Sequence, residues 1–237
     1  MMLWARLTWQ ADDPAAVAFA LVRWLGVTAE TDPRTEGAVL VRLGETELDV
    51  RPWMREGSDD HPHPGGRLVF EPHRGSQPVG GAADAPVALL GIAWSTVELD
   101  RAHSELSSWL SDTDPDASAP DGTDGHLCAM TRTRRTSALP GGRIVLAEPS
   151  TEGRLARSLA RDGEGPCALY VRPAAGLEAW LRVARAAGMK VRDAKVLDGP
   201  FGASVLLPPG SPAGPFVLVV DGTAADPGPA GPGTIDA

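Results

Sequence analysis

The stretch RIVLAEPSTEGRLARSLARDGEGPCALYVRP, residues 143–173, predicts a strand, a short helix and a second strand in direct succession. Its first part is apolar and stops at Glu148-Pro149, where proline removes the donor that a continuing strand would need. A short helix is expected at about 151–161, and the apolar run ALYVRP at 168–173 begins the next strand. This order indicates that two structural units meet here.

The beginning of this stretch has a copy earlier in the chain. GGRIVLAEP at 141–149 resembles GGRLVFEP at 65–72, which indicates related modules. Apolar runs and helical patterns together give strand–helix–strand–strand–strand three times, over 1–75, 87–149 and 166–221. The helix of the middle module is expected to begin at Ser95, with Ser95 and Glu98 as a capping box. The predicted fold class is α+β, built from repeated βαβββ modules.

The predicted domain organisation follows from these modules. Residues 1–75 form an N-terminal module, and residues 87–221 form a pair (87–149 and 166–221) joined by the helix at 151–161. The Gly-, Pro- and Ala-rich segment 72–86 is typical of a linker. Residues 222–237 have almost nothing to bury, so we expect a mobile tail.

Composition narrows the range of functions. The chain has 237 residues, 43% of them hydrophobic, and a formal net charge of −9. That charge argues against nucleic acid or an anionic membrane as a partner, and no apolar run approaches the roughly 20 residues of a membrane helix. The first residues lack the pattern of a signal peptide, and Cys128 and Cys167 have no metal-type spacing. We therefore expect a cytoplasmic protein with free thiols.

Several of these features together resemble one superfamily. They are a strand, Asp13-Pro14, a helix ending in Trp24-Leu25-Gly26, hairpin strands, and the joint at 143–173. The chain resembles the vicinal-oxygen-chelate superfamily, which includes glyoxalase I, methylmalonyl-CoA epimerase, extradiol dioxygenases and bleomycin-resistance proteins. The resemblance implies that two modules pair into a cupped mixed β-sheet with helices on its outer face and one cavity inside. It also implies a metal held by four side chains, from the first and last strands of both modules.

The four positions that the resemblance assigns to metal ligands do not carry ligands in this sequence. They fall on Gly91, Val145, Ala168 and Leu218, and the N-terminal module offers Arg6 and Leu68 instead. None of these side chains except Arg6 is polar, and an arginine repels a cation. We therefore expect no metal site and no cofactor.

Strand alternation predicts which residues would line the cup. Side chains two apart share a face, so the four positions above bring further residues with them. The predicted ligand-binding wall consists of Gly91, Ala93, Ser95, Val145, Ala147, Ala168, Tyr170, Leu218 and Val220. This wall is small and apolar, with Tyr170 as its main polar group. It suits either an apolar ligand or a filled core.

Two other groups were weighed as sites. Arg132 and Arg134 alternate onto one strand face and could hold an anion, although a solvated strand face paired with the nearby acidic segment 111–125 is the favoured explanation. His61 and His63 follow Asp59-Asp60 in an extended segment, where no third ligand is evident.

Three functions stay open at this point. The first is a metal-free protein that binds a small, largely apolar molecule without catalysis. The second is a lyase, isomerase or dioxygenase-like enzyme with a displaced or absent metal, using Tyr170 or the pair Arg132 and Arg134. The third is a structural or assembly protein with a filled cavity. Because three modules are an odd number for a fold that pairs them, the N-terminal module is also expected to pair with a second copy in a homodimer.

Overall fold

The computed structural model describes residues 3–44, 46–52, 67–74, 85–110, 122–136, 142–189, 191, 195–207 and 215–222. For residues 3–6, 71–74 and 107–110 only the backbone is described. Over these ranges the chain forms two mixed β-sheets and four α-helices. No helix within them is long and apolar enough to cross a membrane.

The first sheet has five strands in the order β2-β3-β4-β1-β5. Their bounds are β1 Leu3–Ala11, β2 Ala29–Thr31, β3 Val39–Leu43, β4 Thr46–Pro52 and β5 Arg67–Arg74. Helix α1 (Pro14–Leu25) follows β1, and it begins where the Asp13 carboxylate accepts a hydrogen bond from the amide of Ala16 at 2.9 Å. It ends at Gly26, whose φ of 68° is a left-handed conformation that favours glycine.

The strand at 67–74 does not have the role that the repeat suggested. Strand β4 pairs parallel with β1 and is therefore the last strand of the first module, whereas β5 pairs antiparallel with β1 on its other side. The module is completed by β2, a three-residue exposed strand that carries no apolar alternation and was not predicted. The expectation that 68–72 is the fourth strand was thus wrong, because local pattern does not encode the direction in which a strand pairs.

The second sheet has eight strands in the order β11-β12-β13-β10-β6-β9-β8-β7. One half contains β6 Val87–Ser95, α2 Leu99–Leu110, β7 Gly122–Asp124, β8 Ala129–Arg135 and β9 Arg143–Pro149. The other contains β10 Gly165–Pro173, α4 Leu177–Ala186, β11 Leu197–Gly199, β12 Gly202–Leu206 and β13 Phe216–Val220. Helix α3 (Arg154–Asp162) joins the halves, and β6 pairs antiparallel with β10. The α+β fold class with paired βαβββ modules is confirmed.

The eight-stranded sheet curls until its two ends meet. Edge strands β7 and β11 lie against each other, and the amide of Gly125 donates to the carbonyl of Asp198 at 3.1 Å. The concave face is therefore enclosed by the sheet itself. This arrangement places the side chains of the inner face in contact with one another instead of lining an open bowl.

The helices and the first sheet cover the outer face. Ile144 and Leu146 pack against α2, while Leu169 and Val171 share a buried cluster with α4. The first sheet contributes its apolar face to the same outer layer, and the ring of Phe70 stacks on that of Trp94 at 6.0 Å between centroids. The N-terminal module thus packs on the outside of the paired sheet.

Two carboxylates from other parts of the chain accept hydrogen bonds from backbone amides at the beginning of α2. Glu164 accepts hydrogen bonds from the amide of Val97 and the hydroxyl of Thr96, both at 2.7 Å, and Glu148 accepts from the amide of Leu99 at 3.0 Å. Thr96 itself accepts from the amide of Glu98 at 3.1 Å. The predicted capping box at Ser95 was wrong, because Ser95 faces inward and its hydroxyl donates to the carbonyl of Gly165 at 3.0 Å.

In the N-terminal module, the edge of β1 at which another module would pair is already covered by strand β5. In the paired sheet, β6 meets β10 as its antiparallel neighbour, and β1 has β5 of its own module in the equivalent place. A second copy cannot add to β1 at that edge without displacing β5. Homodimer formation stays a prediction, and any dimer would need another surface.

We expect Glu164→Gln to lower the free energy of unfolding by about 1 kcal/mol at pH 7, because it removes a charged cap at the start of α2. The Arg101 guanidinium, which donates to this carboxylate, holds the pKa of Glu164 at about 2, below the ordinary 4.5. A lowered pKa stabilises the fold fully above pH 4.5, and the contribution is lost as the pH falls from 4.5 towards 2.

Urea denaturation of wild type and variant at pH 7 and at pH 2.5 measures this difference. Glu152→Gln, at an exposed position, serves as the control and should have little effect at either pH. An equal cost of Glu164→Gln at both pH values would contradict the assignment of the effect to the charged form.

Candidate functional site

The predicted wall residues meet inside the curled sheet. Seven of the nine belong to one buried cluster: Ala93, Val145, Ala147, Ala168, Tyr170, Leu218 and Val220. Gly91 and Ser95 are buried on the same strand, β6. Their outward neighbours Ile92 and Ile144 instead pack towards the helices. The structure therefore places these residues together, while their role in binding stays a prediction.

The four positions assigned to metal ligands do not fit a divalent ion. Gly91, Val145, Ala168 and Leu218 offer no oxygen, nitrogen or sulfur donor from their side chains. In the described part of the chain, no group of three or more His, Cys, Asp or Glu side chains is placed to hold a metal. No reaction step is therefore derived through a metal at this site.

Aromatic side chains fill the interior. Tyr170, Phe201 and Phe216 are at most 1% exposed. The rings of Tyr170 and Phe201 lie 4.9 Å apart between centroids, tilted by 55°. A side chain added at Gly91 would place its Cβ 2.8 Å from Cζ of Phe201, so the ring occupies the space that a residue there would need. The inner face is a packed core in this conformation.

One small cleft lies beside this core, at the joint between the modules. It has a volume of about 20 Å³, close to the room of a single water molecule, and its lining includes Ser95, Ser158, Asp162 and Cys167. Of the nine predicted wall residues only Ser95 borders it. The cleft is too small for a ligand of drug size.

A buried hydrogen-bond network ties the two halves of the paired sheet together. The Tyr170 hydroxyl donates to Oδ2 of Asp124 at 2.8 Å, and Oδ1 accepts from the amides of His126 and Leu127 at 2.9 Å each. Nε2 of His126 lies 2.9 Å from the carbonyl of Ser204 in the other half. Burial and the neighbouring Asp124 charge raise the pKa of Tyr170 well above its ordinary value, so the phenol keeps its proton at neutral pH.

Sequence reasoning identified Tyr170 but missed Asp124. The carboxylate lies within 111–125, an acidic segment that was interpreted as a solvated loop, yet Asp124 is 1% exposed. The available signal was the Asp124-Gly125 pair, because an aspartate before glycine commonly accepts the amides that follow it in a turn. Because the surrounding segment is acidic as a whole, its composition does not distinguish the buried Asp124 from the other aspartates.

The two thiols differ in their surroundings. Cys167 is buried, and burial raises its pKa to about 12, so the thiol stays protonated and is a poor nucleophile. Cys128 is exposed at the turn before β8. Both cysteines are free, as expected from the sequence.

The two arginines proposed as an anion site lie on the outer side, beside α2. Arg132 bonds to Asp100 at 2.7 Å, and Arg134, 4% exposed, donates to the carbonyl of His103 at 3.1 Å. An anion at Arg132 would compete with Asp100, and anion binding by this pair stays a prediction. His61 and His63 lie outside the described residues.

The N-terminal module carries buried polar residues that the sequence analysis did not identify. Thr8 and Asp49 are fully buried and face each other across the parallel β1–β4 pair, as Ala93 and Val145 do across β6–β9. Asp49 therefore occupies the place of Val145, so the expectation that Leu68 is the equivalent residue was wrong. Both Nε (2.9 Å) and Nη2 of Arg51 donate to its carboxylate, so a cationic partner is already present.

Comparison with known proteins gives structural similarity alone. No protein-family model and no curated protein matches the sequence. A triply substituted 4-hydroxymandelate synthase from Streptomyces coelicolor is 15% identical with a TM-score of 0.56, and the match covers 91% of this chain and 90% of that chain. Methylmalonyl-CoA epimerase from Mycobacterium tuberculosis is 18% identical with a TM-score of 0.46, covering 59% of this chain and 91% of that chain.

The similarity to the synthase agrees with the topology of the two sheets. The protein has the vicinal-oxygen-chelate fold, which it shares with that synthase. Within that fold, its paired modules enclose a filled apolar interior.

We expect Tyr170→Phe to destabilise the protein by about 1–3 kcal/mol, because it leaves one oxygen of the buried Asp124 carboxylate without the phenol donor. Urea denaturation at pH 7 measures the loss. Thr123→Val, which removes an exposed hydroxyl from the neighbouring residue on β7, should change stability little. Equal stability of Tyr170→Phe and wild type would show that the buried bond contributes nothing net.

Proposed function

We propose that this chain is a metal-free protein of the vicinal-oxygen-chelate fold that binds a small, largely apolar molecule in the enclosed face of its paired modules. The observation that carries the proposal is the chemistry of four positions on that face. The resemblance to the superfamily assigns metal ligands to Gly91, Val145, Ala168 and Leu218, and all four of these residues are buried. A face of this kind favours apolar contact over the coordination of a cation.

A structural role is the second candidate, and the packed interior favours it. Tyr170, Phe201 and Phe216 fill the space that a ligand would occupy. Under this alternative the inner face serves as hydrophobic core, and function lies on the outer surface. The two candidates differ in one measurable respect. Only the binding function requires side chains of the interior to move aside so that a ligand can enter.

An enzyme has less support from the geometry. Its two candidate polar groups are separated by the sheet, because Tyr170 points inward and Arg132 and Arg134 contact α2 on the outside. The raised pKa of Tyr170 also keeps the phenol protonated at neutral pH, so the phenolate that could act as a general base does not form. A cytoplasmic location is a further proposal, which localisation of the tagged full chain would test.

Protein purified without a histidine tag is expected to contain far less than one divalent metal ion per chain, measured by plasma mass spectrometry. Exhaustive treatment with a chelator is expected to leave the unfolding temperature unchanged, because no structural contribution depends on a metal. A stoichiometric metal ion whose removal lowers the unfolding temperature would overturn the metal-free part of the proposal. Ligand extracted from the native protein and identified as a small apolar molecule would favour binding over the structural alternative.

A further inference from the structure

The residue that fills the cup is carried by a turn. Strands β11 and β12 form a hairpin closed by the pair Gly199 and Gly202, with only Pro200 and Phe201 in the loop. Gly202 has a φ of 82°, a conformation that glycine adopts without strain. Phe201 therefore lies at the tip of a two-residue hairpin, and its ring is nevertheless 1% exposed.

The ring lies in a slot made by small residues. Gly91 forms the floor, since any Cβ there would clash with Cζ of Phe201 at 2.8 Å. The neighbouring inward positions Ala93 and Ala168 are also small and are paired in the strand register. The Tyr170 ring lies against one side at 4.9 Å between centroids. The slot thus has the width of one flat ring.

Two cations lie at the mouth of this slot. The Arg143 guanidinium lies over the Phe201 ring, 5.6 Å from its centroid, and Arg135 is directly opposite Arg143 in the β8–β9 register. Guanidinium groups form charge-assisted hydrogen bonds with carboxylates, so a carboxylate at the edge of the ring slot would face this pair of arginines.

We propose that Phe201 is a side-chain plug and that the slot beneath it binds a small aromatic carboxylate, with the ligand's ring replacing that of Phe201 and its carboxylate facing Arg143 and Arg135. This proposal rests on the metal-free binding function and identifies its ligand class. Displacing the plug requires movement at a hairpin tip flanked by glycines, while the strands that carry Tyr170 and Gly91 stay paired. The tip is also held by the amide of Gly222, which donates to the Phe201 carbonyl at 3.2 Å.

The single tyrosine of the chain provides a direct probe. A sample labelled with ¹³C-tyrosine gives one set of ring signals, and those signals report replacement of the ring that lies on Tyr170. Titration of the wild-type chain with benzoate is expected to shift them saturably. Cyclohexanecarboxylate, with the same charge and a non-planar ring, should shift them much less because it does not fit a slot one ring wide.

Variants test whether Phe201 is a plug or fixed core. Phe201→Ala is expected to bind benzoate about tenfold or more tightly than wild type, because the ligand no longer competes with the side chain. Adding Gly91→Val to that variant refills the slot from its floor and should abolish binding. Arg143→Gln should weaken benzoate binding but not that of benzyl alcohol, and Arg182→Gln on α4 should change neither.

The outcomes separate this proposal from the proposed function. Binding to Phe201→Ala without any binding to wild type would identify Phe201 as core and overturn the plug. If Phe201→Ala fails to fold, Phe201→Leu takes its place with a smaller expected gain in affinity, and absence of a Tyr170 shift in that folded variant overturns the proposal. A metal-free protein that binds an extracted non-aromatic molecule would overturn the ligand class and leave the metal-free function standing.

Discussion

The contact between the Phe201 ring and the bare backbone of Gly91 determines what the paired sheet can enclose. A curled sheet with small side chains on its inner face leaves a void unless something apolar fills it, and an empty cavity lowers stability in proportion to its volume. In this chain a phenylalanine from the third module fills the space above a glycine of the second. The two modules therefore complete one another's interior, which explains why they share a single core.

The outer joint between the same modules depends on charge. Glu148 comes from the end of β9 and Glu164 from the turn before β10, yet both accept amides at the start of α2. The sequence marks this joint with Glu-Pro and Gly-Glu-Gly. The glutamates of both motifs thus cap the same helix, α2. A carboxylate is favoured at a helix N-terminus by the unsatisfied amides there, and Arg101 adds a counter-charge to Glu164. The inside of the pair is held by apolar packing, and its outer seam by charged hydrogen bonds.

Much of this arrangement could be predicted from local pattern because side chains alternate regularly along β6 from Gly91 to Ser95, beyond the register shift next to Gly91. Placing Gly91 inward was enough to bring Ala93, Val145 and Tyr170 to one face. Pairing direction could not be predicted in this way. The two Gly-Gly-Arg copies begin strands of similar composition, but β9 runs parallel to β6 and β5 antiparallel to β1. Direction depends on contacts distant in sequence, and Phe201 was missed for the same reason, since its turn gives no local sign that the ring points into the core.

The N-terminal module shows how one scaffold can carry two kinds of inner face. At the positions of Ala93 and Val145 it has Thr8 and Asp49, both fully buried. A buried carboxylate is tolerated only with a partner, and Arg51 supplies it from the same strand, two residues away. The paired modules have the uncharged residues Ala93 and Val145 at these positions. Without a carboxylate at these two positions, no cation is needed beside them, and the face packs against the phenyl ring of Phe201. The residues at these strand positions therefore differ with what packs on each face, which is a guanidinium in the N-terminal module and a phenyl ring in the paired modules.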